Sequence, residues 1–454
     1  MKAHQTDFSH GGVYGNIIQV MLPMMVAQLL NLLYNIVDRM YIGQMKGVGT
    51  QALSGLGLCF PILMFVTAFA NLVGSGGSPL CAMERGRGNR EEAEWIMCNS
   101  FRLLLLLGIG LTAAGLIFHK PILYLFGASD AIYPYARDYI MIYLCGSPFV
   151  MIALGMNPFI NSQGFARTGM LTVLLGACAN IALDPLFIFG LGWGVRGAAL
   201  ATILSQLLSA LWVVRFLTWG PAELKLRAGR MKLQAARVRR ILGLGTAGFV
   251  MSCTNSVVQA VCNSTLQTFG GDLYIGVMTV VNSIREIAQT PAQAMGDGAS
   301  PVMSFNYGEG QYGKVKKGIW FMTALTAAYL AAIWLVLFLF PRPFIRIFNG
   351  ESALAEAAVP CLHLYFFGFF MMAFQIAGQS VFKSLGKAKQ AVFFSLFRKI
   401  IIVVPLTLLL PHVAELGVMG VFLAEPISNF IGGAACFLTM GVTVLPELRK
   451  GRGE

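Results

Sequence analysis

Runs of about 20 apolar residues with almost no charge recur along the whole chain, and a helix of that length crosses the hydrocarbon layer of a bilayer. Segments 15–43, 50–78, 94–118, 131–156, 168–190, 195–219, 240–268, 273–300, 316–340, 353–379, 390–410 and 417–445 read as twelve spans. A backbone surrounded by lipid must satisfy its N–H and C=O groups internally, which helices do within one segment. The fold class is therefore an all-α membrane protein. Composition agrees: 56% of the 454 residues are hydrophobic and 12% charged, about half the charge of a soluble domain. The chain is polar up to Asn16 and its first apolar run outlasts a signal-peptide core, so that run reads as a retained helix. Nine cysteines form no CxxC pair and read as small packing residues.

The net charge of +13 is a topology signal. Alternate connections hold very different amounts of Lys and Arg. One side has Lys2, Arg85, Arg87, Arg90, Arg167, the basic run from Lys225 to Arg240, Lys314, Lys316, Lys317, Lys383, Lys387, Lys389, Arg449, Lys450 and Arg452; the other has Lys46, Lys120, Arg196, Arg342 and Arg346. Positive residues stay inside, so both termini are expected in the cytoplasm, in a cell membrane of the bacterial inner type. Nucleic acid is not an expected partner.

A shift of 222 residues superimposes Gly74, Gly76, Ser78, Pro79, Gly86 and Gly88 on Gly296, Gly298, Ser300, Pro301, Gly308 and Gly310. The same shift carries Pro121, Tyr143, Gly146 and Gly164 to Pro343, Tyr365, Gly368 and Gly386, and Phe126 to Phe348. Apolar composition alone does not align Gly and Pro. The repeat contains six spans, an even number, so two six-helix lobes are expected to share one orientation about a pseudo-twofold axis along the membrane normal. The expected division is 1–219 for the first lobe, 220–240 for a basic cytoplasmic linker and 241–454 for the second lobe. Two lobes around a cleft suit alternating access.

Polar side chains inside spans are costly and face a bundle interior or a wet cavity. The first span carries Gln28, Asn31, Asn35 and Asp38 at spacings of 3, 4 and 3, one face of a helix. The seventh carries Ser252, Asn255, Gln259 and Asn263, and the eighth Asn282, Glu286, Gln289 and Gln293, with Thr67 and Asn71 at the repeat positions of the last two. Gln28, Asn31, Asn35, Gln259, Glu286, Gln289 and Gln293 are the candidate substrate-cavity residues. Asp38 and Asp184 stand out as acids in the first lobe. Asn180 lies one turn before Asp184, Pro185 follows it, and the sixth span adds Thr202. Two carboxylates, an amide and a hydroxyl are hard oxygen ligands that suit Na⁺. Alternatively, two adjacent buried acids resist double ionisation and carry a proton.

The Asp38-Arg-Met-Tyr-Ile-Gly43 segment, the paired GSGGSP and GDGASP segments, Asn180…Asp184-Pro185 and Gly194-Val-Arg-Gly197…Thr202 together resemble the multidrug and toxic compound extrusion (MATE) family, from about Gly15 to Leu445. The resemblance implies twelve helices in two lobes and cation-coupled export of organic, often cationic, compounds. It also implies that Asp38, Asn180, Asp184 and Thr202 form a first-lobe cation site of the archaeal and DNA-damage-inducible branches. The other branch has carboxylates in the seventh and tenth spans; here those spans offer only Cys262, Asn263 and His363, leaving Glu286 and Glu425 as second-lobe acids.

No HExxH, GxSxG or Walker motif occurs, so an enzyme is not expected, and gradient coupling replaces direct use of ATP. Gly243-Leu-Gly245-Thr-Ala-Gly248 matches GxGxxG but follows no strand and reads as helix packing. The expected function is antiport of small organic, cationic compounds by a monomer, driven by Na⁺ or H⁺ and needing no cofactor; membrane lipids are its surroundings. The alternative is a flippase for lipid or lipid-linked sugar, for which Arg102, Arg137, Arg285, Arg398 and Lys399 are the phosphate-binding candidates. A membrane-embedded receptor or enzyme is a third reading.

Overall fold

A computed structural model describes residues 5–43, 45, 49–125, 130, 132–348, 352–413 and 416–450. Lys2, Lys46, Phe126 and Arg452, cited above, lie outside them, as do the side chains of Lys450 and Phe348. No strand occurs among the described residues. The helices are α1 (Val13–Gly43), α2 (Gly49–Gly86), α3 (Arg90–Leu125), α4 (Tyr133–Cys145), α5 (Ser147–Ser162), α6 (Ala166–Pro185), α7 (Gly194–Trp219), α8 (Ala235–Gly308), α9 (Tyr312–Leu339), α10 (Pro341–Phe348), α11 (Ser352–Tyr365), α12 (Met372–Ser384), α13 (Ala388–Leu396), α14 (Val404–Leu409) and α15 (Val418–Lys450). Nine helical stretches among the described residues are long and apolar enough to cross a membrane. Two bent pairs, α4 with α5 and the helices 355–365 with 369–384, bring the number to eleven. The remaining segment is the second limb of α8, beyond a break at Gly271 (φ +63°). That limb carries Asn282, Arg285, Glu286, Gln289 and Gln293, and is too polar to count by hydropathy.

Two expected spans are bent where continuous helices were read. α4 and α5 meet at 57°. Pro148, which has no N–H to donate, opens α5 there, and Ile203 fills the space a side chain at Gly146 would need. In the second half the helices meet at 44°, where Gly368 (φ +71°) takes a left-handed conformation against the Phe430 ring. Several helices also outrun the expected spans, α2 reaching Gly86 and α3 starting at Arg90. Their added turns are charged and pair with one another, as described below.

The chain divides into two compact units. One comprises the residues up to Phe8 and Leu22–Gly245; the other comprises Ser9–Met21 and the residues from Thr246 onward. In the first unit α2 packs on α3, α4 and α5, and α7 packs on α5 and α6. In the second, α15 packs on α11 and α12, and α9 on α12. The unit boundary crosses α1 between Met21 and Leu22 and α8 between Gly245 and Thr246, close to the repeat offset. The close contacts repeat in parallel. A side-chain carbon on Gly76 would strike Ile241 and Gly245, and one on Gly298 would strike Met21, each within its own unit. The left-handed turns repeat too: Gly88 and Gly310 have φ of +78° and +77°, and Gly164 and Gly386 have +88° and +71°. Gly245 lies against the carbonyl of Leu72, so this glycine lets two helix backbones touch.

The basic stretch after α7 forms ion pairs within the first unit. Glu223 pairs with Arg85 at 2.7 Å and with Arg90. Arg230 reaches Glu94 at 2.9 Å and Arg240 reaches Glu84 at 3.2 Å, while Arg237 pairs with Glu92 and lies over the Trp95 ring. Backbone bonds add direction: Gln163 accepts from the Leu224 N–H at 2.8 Å and Asn99 from that of Gln234 at 2.9 Å. The strap is held to the ends of α2 and α3 by charge-assisted bonds that exposed pairs alone would not secure.

Two predictions follow from this packing. Gly245→Ala places a methyl group on the Leu72 carbonyl and is expected to cost about 1–3 kcal/mol, read as a lowered melting temperature of the purified protein; an unchanged midpoint contradicts the contact. Burial pushes the Glu223 carboxyl up, but Arg85 and Arg90 outweigh it and hold the group below its ordinary 4.5. A depressed carboxylate stabilises fully above its unfolded value and loses that contribution as pH falls through the folded one. Thermal stability should therefore decline below about pH 4.5, and Glu223→Gln should lower stability at pH 7 while flattening that acid limb.

Candidate ion and substrate sites

The acids of the first unit meet at the end of α6. Pro185 closes that helix and cannot extend its hydrogen-bond ladder, and the chain widens into a π turn over Leu186–Gly190. Asp184 therefore sits where the regular ladder ends. Its carboxyl is within hydrogen-bonding reach of Asp38 near the end of α1. Asn180, one turn earlier, directs its amide nitrogen at Asp184 Oδ1 (3.4 Å) and Thr202 Oγ1 (3.5 Å). Thr202 donates its own proton to the Ala198 carbonyl at 3.0 Å, which leaves its oxygen as an acceptor. The Tyr139 hydroxyl lies beside Thr202, and that of Tyr34 lies near both acids.

This cluster is dry. Asp184 is 0% exposed, Asn180 2%, Thr202 7% and Asp38 8%. Asn180 Oδ1 and Asp184 Oδ2 are buried and find no hydrogen-bond donor among the described residues. Buried oxygens in that state cost free energy, and two carboxylates in contact cannot both stay ionised without a positive partner. All four residues of the expected cation set come together. No group of three or more His, Cys, Asp or Glu forms among the described residues, so the donors are hard oxygens in mixed company, suited to an alkali cation or a proton.

The expected substrate-cavity residues fall in both units. Gln28, Asn31 and Asn35 lie on the part of α1 in the first unit, where Asn31 is exposed and Asn35 donates back to the Asn31 carbonyl at 2.7 Å. Gln259 bonds to Asn263 (3.2 Å) and accepts from Asn282 (2.9 Å) in the second unit. It lines a cavity of about 20 Å³ with Asn282, Arg285, Tyr365, Lys399 and Glu425. Gln289 and Gln293 line a second cavity, about 50 Å³, with Gln375, Gln379, Arg398 and Lys399. Glu286 is exposed and lines neither.

The second unit also buries an ion cluster that includes three of the phosphate-binding candidates, Arg285, Arg398 and Lys399. Arg398 and Lys399 occupy a π segment, Phe397–Val403, inside the apolar stretch Ala388–His412. They are only 7% and 3% exposed. Arg398 donates to Glu425 at 2.9 Å and to Asn429 at 2.8 Å; Lys399 reaches both Glu425 oxygens at 3.2 and 3.3 Å. Arg285 approaches Glu425 at 4.0 Å. Glu425 is thus already neutralised and is no free cation ligand. His363 contacts the Phe338 carbonyl at 3.0 Å. The missed signal was available: three cations and one acid within apolar spans must find one another.

Comparisons with known proteins bear on this architecture. The family model MatE matches two stretches, 23–186 and 248–409, whose starts lie 225 and whose ends lie 223 residues apart (248 against 23, 409 against 186). The chain is 24% identical to the FAD transporter of Shewanella oneidensis, over 94% of this chain and 95% of that protein. It is 26% identical to the multidrug export protein MepA of Staphylococcus haemolyticus over 66% of each. A solved structure of MATE in the bent conformation superposes with a TM-score of 0.93 at 24% identity, covering 99% of this chain and 100% of that one. With the family model matching most of the sequence, the chain belongs to the MatE family of membrane transporters and is not an enzyme.

Proposed function

We propose that this protein is a cation-coupled antiporter that exports small organic compounds by alternating access, with Asp38, Asn180, Asp184 and Thr202 as its coupling site. The observation that carries this reading is the contact between the Asp38 and Asp184 carboxyls in a dry pocket. One Na⁺ or one H⁺ resolves the conflict between them, and release of that ion restores it. Such a site changes its preferred geometry with occupancy, which is what coupling to a gradient requires. The relatives named for multidrug export support small organic cargo. Cationic apolar compounds are the class that the first unit's acids attract. The lobes would be residues 1–219 and 241–454, related by a pseudo-twofold axis and joined by 220–240, with both termini in the cytoplasm of a bacterial cell and the monomer as the working form.

A second reading, transport of a phosphate-bearing lipid or lipid-linked sugar, is favoured by the burial of Arg398 and Lys399. The relative named as an FAD transporter also points to cargo beyond cationic drugs.

Proteoliposomes with a Na⁺ or an H⁺ gradient imposed separately test the coupling role. Asp184→Asn and Asp38→Asn are each expected to abolish gradient-driven efflux of a fluorescent cation such as ethidium while leaving insertion and monodispersity intact. Gradient-driven efflux at the unmodified rate from either variant removes the coupling site. Asn180→Ala deletes one neutral ligand and should weaken half-saturation by the driving ion about tenfold, with maximal efflux preserved; unchanged ion dependence contradicts its place in the set.

A further inference from the structure

The two cavities of the second unit share Lys399 in their walls, and Arg285 lines the smaller one. Three cations, Arg285, Arg398 and Lys399, surround the single carboxylate of Glu425. Arg285 also feels the field of Glu286, but that side chain is exposed. Counting Glu286 still leaves one buried positive charge in excess. An uncompensated charge away from water is among the most costly features a membrane protein can carry. Arg285 Nε, moreover, is buried and has no hydrogen-bond acceptor among the described residues. Arg398 and Lys399 spend donors on Glu425 and Asn429, whereas Arg285 sits 4.0 Å from Glu425 and keeps its donors for another partner. Gln259 and Asn282 beside it supply amide groups.

We propose that this pocket, walled by Arg285, Lys399 and Gln259, binds an anionic group, a carboxylate or phosphate, on the transported compound. The proposal rests on the transport reading for its cargo but not on the coupling site. The two cavities are small, about 20 and 50 Å³, so the site receives the charged head and not the body of the compound. The adjoining cavity of about 50 Å³ is rich in glutamine and offers room beside Lys399. Guanidinium groups suit planar or tetrahedral oxyanions through paired donors. Cargo carrying both an apolar body and an acidic group would therefore engage the second unit.

Riboflavin and riboflavin 5′-phosphate differ by one phosphate and both fluoresce, so they isolate the interaction. Binding is measured by fluorescence anisotropy on delipidated full-length protein in detergent, with no gradient, so failure of coupling leaves the result unaffected. The phosphate form is expected to bind at least about tenfold more tightly than riboflavin. Arg285→Gln should erase that difference, and Arg285→Lys should restore part of it. Glu425 keeps Arg398 and Lys399 in the glutamine variant, so the fold retains its buried pair. Displacement by inorganic phosphate assigns the pocket to the anion itself, and displacement by phosphatidylglycerol alone assigns it to a lipid headgroup; both support an anionic-group site. Equal binding of the two flavins, or a preference that survives Arg285→Gln, overturns it.

Discussion

Two buried carboxyl groups side by side resist being ionised together, and the first unit places Asp38 and Asp184 in that relation. Asp38 arrives on α1 and Asp184 on α6. Neither helix could present its acid to lipid without a large cost. Asn180 and Thr202 add oxygen and amide partners without adding charge. Pro185 and the π turn behind it place the acid where backbone hydrogen bonding is already irregular. Such a position tolerates small changes of geometry at less cost than the middle of a regular helix.

The second unit is built on the same repeat, yet its buried electrostatics have the opposite sign. The left-handed glycines and the close contacts at Gly76 and Gly298 recur. The charges do not. Where the first unit brings the acids Asp38 and Asp184 together, the second gathers three cations about Glu425. A duplicated scaffold fixes helix packing through small residues and turns, and leaves ion chemistry to a few side chains. This separation explains how one fold serves cargo as different as the names of its relatives imply.

Much of this was readable from residue order. The apolar runs gave the helices, because a backbone in lipid has few alternatives. The 222-residue offset gave the repeat through Gly and Pro, which report backbone conformation and not hydrophobicity. Asn180 and Asp184, one turn apart, pointed at each other before any coordinates did. Other features depend on tertiary placement. The bends at Gly146 and Gly368 lie within apolar runs that hydropathy reads as continuous. The binding of the basic strap to Glu84, Glu92 and Glu94 joins residues more than 120 positions apart, as does Glu223 with Arg85. Gln289 and Gln293, one turn apart as the spacing suggested, line the same cavity.

The shared positive charge of the acid pair is open to direct observation by infrared difference spectroscopy on the reconstituted protein, titrated with pH at zero and saturating Na⁺. The account predicts a protonated-carboxyl band in the absence of Na⁺ that vanishes in both Asp38→Asn and Asp184→Asn. A band that persists unchanged in either variant, or its absence from the unmodified protein under every condition, would contradict the idea that these two residues hold one cation between them.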